Sequence, residues 1–403
     1  MNAGLEVNDV QSHLNCTRVH SIVSPTSIEG IQIALRHARR ESRAVSIAGG
    51  RHSMGGQQFG TDTMLFNMKQ FARVVHFDRT RGLIEVEAGI EWPALIEYLQ
   101  TEQAGRREQW AIREKQTGVD DVSIGGSLSS NIHGRGLHFP PIAADVESFL
   151  LVDHAGEIYN CSRQENATLF SLAIGGYGLF GVIAHVTLRL VPRTKVERVV
   201  EVIAVNTLLP WLDRRIREGF VYGDCQYSTD FETDASSHLG VFSCYRPVDI
   251  DTAIPEDQKQ LSAADWVRLY TLARTDKKKA FETYSQYYLS TNGQMDWSDT
   301  HQLAGSFDGY REAVDVTLGT EMITEVYVAR DAFLPLLIQA RKDFLDHGVD
   351  MTYGTIRFIE KDTDSFLAWA REPSACIVCN LHVQHTEAGV GKAIEDFRRI
   401  IDR

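Results

Sequence analysis

Three glycine-rich stretches hold most of the side chains in this sequence that could do chemistry. The first is SIAGGRHSMGGQQ, residues 46–58. After Ala48 its glycines Gly49, Gly50, Gly55 and Gly56 free the backbone for close approach. Consecutive N–H groups can then converge on an anion, a nest that binds phosphate with no lysine. Arg51, His52, Ser53 and Gln57 lie within it. His52 has three readings here: an incidental loop residue, a hydrogen-bond donor to phosphate, or a side chain bonded to a cofactor.

The second stretch, KQTGVDDVSIGGSLSSNIHGRGLHFPP, covers residues 115–141. It holds Thr117, Gly118, Ser123, Gly126, Ser127, Ser129, Asn131, His133 and Gly134. Little of it has helix or strand periodicity, so it reads as a long ordered loop, a form that is usually functional. His133 is either a loop histidine satisfied by its neighbours or part of a site. The third stretch, AIGGYGLFGVIAHVTLRL, spells Gly-x-Gly-x-x-Gly with Gly176, Gly178 and Gly181. That pattern marks a Rossmann dinucleotide site only when a helix follows. Here Val182, Ala184, Val186, Leu188 and Leu190 alternate, which is a strand. A Rossmann site is excluded, while the turn at Gly178, with Val182 and Ile183 beyond it, can still touch a ligand.

The surrounding elements are legible from their periods. Thr26-Ser-Ile-Glu29 has capping-box spacing, and Ile28, Ile31, Leu35 and Ala38 follow at helical intervals. RAVSIAGG is a strand running into the first glycine loop. MLFNMKQFARVVHFD and GLIEVEAGI read as strands. EWPALIEYLQTEQAG is a helix with Pro93 in its first turn and Trp92, Leu95, Ile96 and Leu99 on one face. VESFLLVDHAGEIYNCS is a hairpin turning at 154–156. Beyond Pro192 the pattern becomes strand, helix, strand, strand, then a mostly helical 255–300. EMITEVYVA, helix 331–347, TYGTIRFIE, ACIVCNLHVQH and a terminal amphipathic helix follow. The charged run RTDKKKAFE reads as a solvated helix face. This is α+β: a first domain over 1–192 and a second, an antiparallel sheet covered by helices, over 193–403.

Composition narrows the classes. The chain has 403 residues and a formal net charge of −13, which disfavours nucleic acid and anionic membrane surfaces. No apolar run approaches the roughly 20 residues of a membrane span, and no signal peptide is visible at the N-terminus. Six scattered cysteines do not form a disulfide framework, and the expected location is cytoplasmic. Cys376 and Cys379 have redox-motif spacing, but in a strand they point to opposite faces, so no redox or metal role is expected.

Taken in order, the motifs resemble one family. Val23-x-Pro25-x-Ser27, Gly49-Gly-Arg-His-Ser53, Val86-Glu-Ala-Gly89-Ile-x-Trp92, Ser123-Ile-Gly-Gly-Ser127, Asn131-Ile-His-Gly134 and Gly175-Gly-Tyr-Gly-Leu-Phe-Gly181 carry the likeness. They resemble the FAD-binding, PCMH-type domain of the vanillyl-alcohol oxidase / p-cresol methylhydroxylase superfamily. The resemblance implies a two-subdomain FAD-binding domain followed by a substrate domain. It implies that the first loop wraps the FAD pyrophosphate, and that His52 occupies the position that carries flavin covalently in sugar, lactone, alditol and cytokinin oxidoreductases. NIHGRG is closer to the prenylphosphoryl-ribose oxidase branch, so the likeness is to the superfamily as a whole.

The same likeness implies an oxidoreductase that takes hydride from a CH–OH donor, a polyol, sugar or aldonolactone, with oxygen or another acceptor reoxidising the flavin. No metal is implied. Thr355-Ile-Arg357-Phe resembles the strand on which such members carry a catalytic arginine, with Thr355 where they tend to have an acid. His133 and His382 are further candidates for substrate contact, with His385 an alternative on the same strand. Members usually continue past the last helix into a segment that returns to the flavin domain, and that return is expected to be missing here. A second reading is oxidation of a C–N donor, as in cytokinin dehydrogenases. Gly118, at the offset of their catalytic aspartate, counts against it. A third is a flavin-fold binding protein without activity.

Overall fold

A computed structural model of the chain describes residues 4–232, 238–304 and 318–401. It divides into two compact units. The first comprises 1–134, 140–193 and 362–369; the second comprises 135–139, 194–361 and 370–403.

The first unit holds two main sheets. A small parallel sheet has the order β3 (Ser21–Val23), β5 (Met64–Asn67), β4 (Val45–Ala48). Helix α1 (Ile28–Arg40) is its crossover. The cap of α1 is Ser27, whose side chain accepts from the Gly30 N–H, rather than Thr26; with glycine three residues on, the reciprocal bond of a capping box does not form. Ile31, Ala34, Leu35 and Ala38 are buried against Met64, Phe66 and Phe71. Burying Ile31 and Leu35 contributes about 1.5–3 kcal/mol each.

The larger sheet is antiparallel: β10 (Ile158–Ser162), β9 (Val146–Val152), β11 (Val182–Arg189), β7 (Leu83–Glu87), β6 (Val74–Asp78). The alternating run after Gly181 is therefore its central strand, as its period required. Two short pairs, β1 (Leu5–Val7) with β2 (Thr17–Val19) and β8 (Trp110–Ala111) with β12 (Val191–Pro192), complete the strands described in this unit. Helix α2 (Trp92–Glu102) buries Trp92, Leu95, Ile96 and Leu99, the face its spacing named.

The second unit is built on a seven-stranded antiparallel sheet. Its order is β16 (Met295–Trp297), β13 (Lys195–Ala204), β15 (Leu239–Val248), β14 (Tyr222–Tyr227), β18 (Met351–Ile359), β19 (Ser374–Gln384), β17 (Gly319–Ala329). One face is apolar. Cys225, Tyr227, Phe242, Ile356, Phe358, Ile377 and Cys379 pack there with side chains of helices Leu208–Arg217, Phe333–Asp346 and Glu387–Ile401. The 255–300 region contains helices Ala263–Thr275 and Lys277–Ser290. Helix 331–347 starts at Phe333, after a 3-10 turn over Arg330–Ala332.

Cys379 belongs to the apolar core while Cys376 lies on the opposite face, as strand alternation requires. Both thiols are free and buried, and burial raises the pKa of each, that of Cys379 to about 11. Among the described residues no helix is long and apolar enough to cross a membrane. The fold class is α+β, with a parallel and an antiparallel sheet in the first unit and a helix-covered antiparallel sheet in the second.

Candidate functional site

In the first unit the structure brings the three glycine stretches together. The first loop leaves β4 at the buried Ala48 and lies directly on the second stretch. A Cβ on Gly49 would stand 2.1 Å from Ser123 Oγ, and one on Gly50 would stand 2.0 Å from the Asp121 carbonyl. No other residue type fits either position without displacing the Ser123 side chain or the Asp121 backbone. Arg51 follows in the left-handed region, with φ of 60°, so the chain reverses sharply just before His52. His52 is half-buried, whereas Ser53 and Gln57 are exposed on the rim of the turn.

The second stretch is less irregular than its sequence suggested. Ser123 caps a short helix, α3 (Ile124–Ser130), by accepting from Gly126 N–H at 3.2 Å. Gly-Gly-Ser-Leu-Ser-Ser has poor helix propensity and too few residues to show a period, which is why the helix was illegible. Tertiary bonds hold it instead. Ile124 N–H donates to the Ile90 carbonyl at 2.8 Å, Gly125 N–H to that of Ala88 at 2.7 Å, and the buried Trp92 indole to Ser127 Oγ at 3.1 Å.

The third stretch closes on the same helix. Gly175 N–H donates to the Leu128 carbonyl at 3.0 Å and Tyr177 N–H to that of Ser129 at 3.1 Å. Gly178, at φ 78°, sits beside Ile47 of β4. Val182 and Ile183 are buried at the start of β11.

Thr117 and Gly118 occupy a loop fixed from inside by a fully buried lysine. Lys115 Nζ donates to the Gln116 carbonyl at 2.8 Å, the Val119 carbonyl at 3.1 Å and Asp120 Oδ1 at 2.7 Å. Gln116 Oε1 and Thr117 Oγ1 are buried with no hydrogen-bond partner. Gly118, at φ 91°, is exposed and has open space on its Cβ side. Nearby Glu91, bridged to Ser123, has its carboxyl pKa raised by burial in spite of Lys69 at 3.4 Å.

Asn131 is a keystone that the sequence did not reveal as such. It adopts φ 49°, its Nδ2 donates to Asp362 Oδ2 at 2.8 Å, and its carbonyl accepts from the Trp369 indole at 3.0 Å. His133 is buried, its Nδ1 3.0 Å from the Gly134 carbonyl and its ring 5.5 Å from that of Trp369. Asp362, Ser365 and Trp369 arrive from a distant part of the chain, so no local signal could have named them.

In the second unit the polar face of the sheet holds Arg357. It is 7% exposed, and its Nε has no hydrogen-bond partner. Glu325 stands 3.9 Å away and accepts from the Tyr327 hydroxyl. Thr355, at the position where the resembled family tends to carry an acid, donates to Asp224 Oδ2 at 3.2 Å, and the strand register sets Asp224 beside Arg357. Burial works against the guanidinium charge, but Tyr353, Glu325 and Asp224 outweigh it and raise its pKa. Burial also raises the Tyr353 and Tyr327 hydroxyls.

The structure does not bring His382 to this cluster. Arg357 pairs with Cys376 on β19, six residues before His382, or about 20 Å along a strand. His382 instead forms a buried group with Glu321, at 2.8 Å, and the Tyr270 hydroxyl. His385 lies three residues further still, just past the end of β19.

Residues 19–162 match the sequence profile of a family described as an FAD binding domain. The chain is 30% identical over 189 residues to a D-arabinono-1,4-lactone oxidase of Yarrowia lipolytica, covering 46% of this chain and 34% of that protein. It is 31% identical over 170 residues to the L-gulonolactone oxidase of Mus musculus, 42% of this chain and 37% of that one. It is 30% identical over 178 residues to an L-gulono-1,4-lactone dehydrogenase of Mycobacterium tuberculosis, 44% and 39%. The match thus spans about a third to two fifths of these relatives' own lengths.

The residues of the first unit fit the cofactor of that family. Gly49 and Gly50 lie so close to Ser123 and Asp121 that a Cβ at either would clash, and Gln116 and Thr117 hold buried polar atoms without partners in the loop that Lys115 fixes. Residues 19–162 therefore carry an FAD binding domain, consistent with the vanillyl-alcohol oxidase / p-cresol methylhydroxylase superfamily.

Proposed function

We propose that this chain is the flavin-holding and substrate-facing part of an oxidoreductase that oxidises a CH–OH carbon of an aldonolactone or a related sugar or polyol. The observation that carries this reading is the convergence of loops 49–53, 117–134 and 175–183 in one unit. The lactone chemistry named for its relatives supports it.

When bound, FAD supplies the acceptor for a hydride from the donor carbon. Backbone N–H groups of residues 48–53 would hold the pyrophosphate, and Thr117, Ser123, Gly126, Ser127, Ser129, Gly178, Val182 and Ile183 would line the rest of the cofactor's site. Asn131 and Gly134 fix the chain on either side of His133. His52 would be the residue that tethers the cofactor through its ring. On the polar face of the second sheet, Arg357 stabilises the negative charge that grows on the donor oxygen, a role that a buried guanidinium with an unused N–H fills without reorganising. Glu325, whose carboxylate faces Arg357, takes the hydroxyl proton. The acceptor that completes the cycle is oxygen or a carrier, and the site of action is the cytoplasm.

Two measurements test the proposal. Purified protein given FAD should show bound flavin absorbance, and it should reduce a dye with L-gulono- or D-arabinono-1,4-lactone as donor. Failure to bind FAD removes the reading entirely; flavin binding without lactone turnover removes the substrate class. Acid precipitation separates the tether: the wild-type pellet should stay yellow, and His52→Ala should release colour to the supernatant. A colourless wild-type pellet eliminates the covalent bond.

A further inference from the structure

A second cluster in the second unit has no part in the function proposed above. Strands β13, β15 and β14 place Arg198, Tyr245 and Tyr222 in one cross-strand row. Tyr245 is fully buried, and three groups pack on it. The Arg135 guanidinium lies 4.9 Å from its ring centre and that of Arg198 lies at 5.3 Å. The His301 ring stacks at 4.5 Å.

The protonation of this cluster follows from its bonds. Arg135 Nη2 lies 3.0 Å from His301 Nδ1 and also donates to the His301 carbonyl. A guanidinium cannot accept, so Nδ1 is the acceptor and the proton of the neutral ring sits on Nε2. The ring is neutral because burial, and then the charges of Arg135 and Arg198, hold its pKa far below the usual histidine range.

Three buried N–H groups are then left without an acceptor: Nε of Arg135, Nε of Arg198 and Nε2 of His301. His301 is 7% exposed. Every unsatisfied atom of the cluster is a donor, and two belong to cations. Asp296 approaches Arg198 only to 3.9 Å and so offsets part of the charge. Buried donors are normally satisfied, so a set lacking only acceptors describes the complement of its ligand. Guanidiniums suit the planar or tetrahedral oxygens of carboxylates and phosphates.

We propose that Arg135, Arg198 and His301 form a binding site for an oxyanion, the carboxylate or phosphate group of a small molecule. It is distinct from the Arg357 cluster. Three steps across the sheet, β13 to β15 to β14 to β18, separate Arg198 from the Arg357 strand, about 14 Å at the usual strand spacing.

The test is calorimetric titration of inorganic phosphate, and separately of acetate, into the chain saturated with FAD, so that the loops of the first unit do not report. Saturable binding of one equivalent is expected. Arg135→Met and Arg198→Met should each weaken it at least tenfold. Arg198→Lys, which keeps the charge but loses the fork, should weaken it too and guards against a misfolded Met variant. Arg246→Met, next to Tyr245 on the other face of β15, should leave it unchanged. In histidine-labelled protein the His301 Nε2 proton should shift as phosphate saturates. Binding of neither anion, binding that survives both Met variants, or a His301 proton indifferent to phosphate would overturn the site. Saturation by phosphate alone or acetate alone decides the anion class.

Discussion

At the scale of single residues, Arg357 and His382 show what a motif can and cannot convey. Both were named from the same pair of strands, and both lie on the polar face. Yet their separation along β19 is fixed by register, which no local pattern prints. The companions of Arg357 come from β14 and β17, more than a hundred residues before it and some thirty before it in sequence, so Asp224 and Glu325 were invisible. Arg357→Met should lower lactone turnover by ~100–1000-fold while the flavin spectrum is unchanged, the size of loss typical of a missing oxyanion donor. Steady-state kinetics beside a flavin titration check this; equal turnover would remove Arg357 from the chemistry. His382→Asn should instead act on stability, because it leaves the buried Glu321 with fewer donors. A melt lowered with turnover per folded molecule intact is the expected result.

Elements were read well where a period was long and poorly where tertiary contacts supply the order. The central strand β11 and helix α2 follow directly from alternation and from the Trp92-Leu95-Ile96-Leu99 spacing. Helix α3 does not, since its seven residues are held by Ile90, Ala88 and Trp92. Gly49→Ala tests this arrangement. Its methyl would overlap Ser123 Oγ, so loop and helix must part. FAD affinity should fall at least tenfold, with little change in the circular dichroism of the sheets; unaltered affinity would mean that the loop has slack. Asn131→Ala removes the amide bond to Asp362 and puts a Cβ residue without a local bond at φ 49°. A loss of about 1–3 kcal/mol is expected, with Trp369 fluorescence shifting toward that of an exposed indole.

At the scale of the whole molecule, the two units carry opposite acid responses. In the first, burial outweighs Arg113, at 3.0 Å, and raises the Asp145 carboxyl from 3.8 to about 6. The folded unit keeps a proton that the unfolded chain releases, so this contribution is present below pH 4 and lost as pH rises through 6. In the second, burial lowers His238 from 6.5 to about 4. Its contribution is present above pH 6.5 and lost as pH falls toward 4. Each amounts to roughly 3 kcal/mol at full extent. Asp145→Asn should therefore stabilise the first unit at pH 7 and have little effect below pH 4, measured by urea unfolding; an equal effect at both values would reject the account. The chain also does not change units once. It passes into the second unit at 135–139, returns, leaves again after 193 and comes back for 362–369. Dissection at the composition change near Pro192 would therefore not yield an independent flavin module. Such a fragment loses Asp364, which pairs with Arg163 at 2.7 Å, together with Asp362 and Trp369, which fasten Asn131. Anyone transplanting this sheet onto another flavin scaffold, or reconstituting the protein from halves, must supply that eight-residue strap as a part of the acceptor.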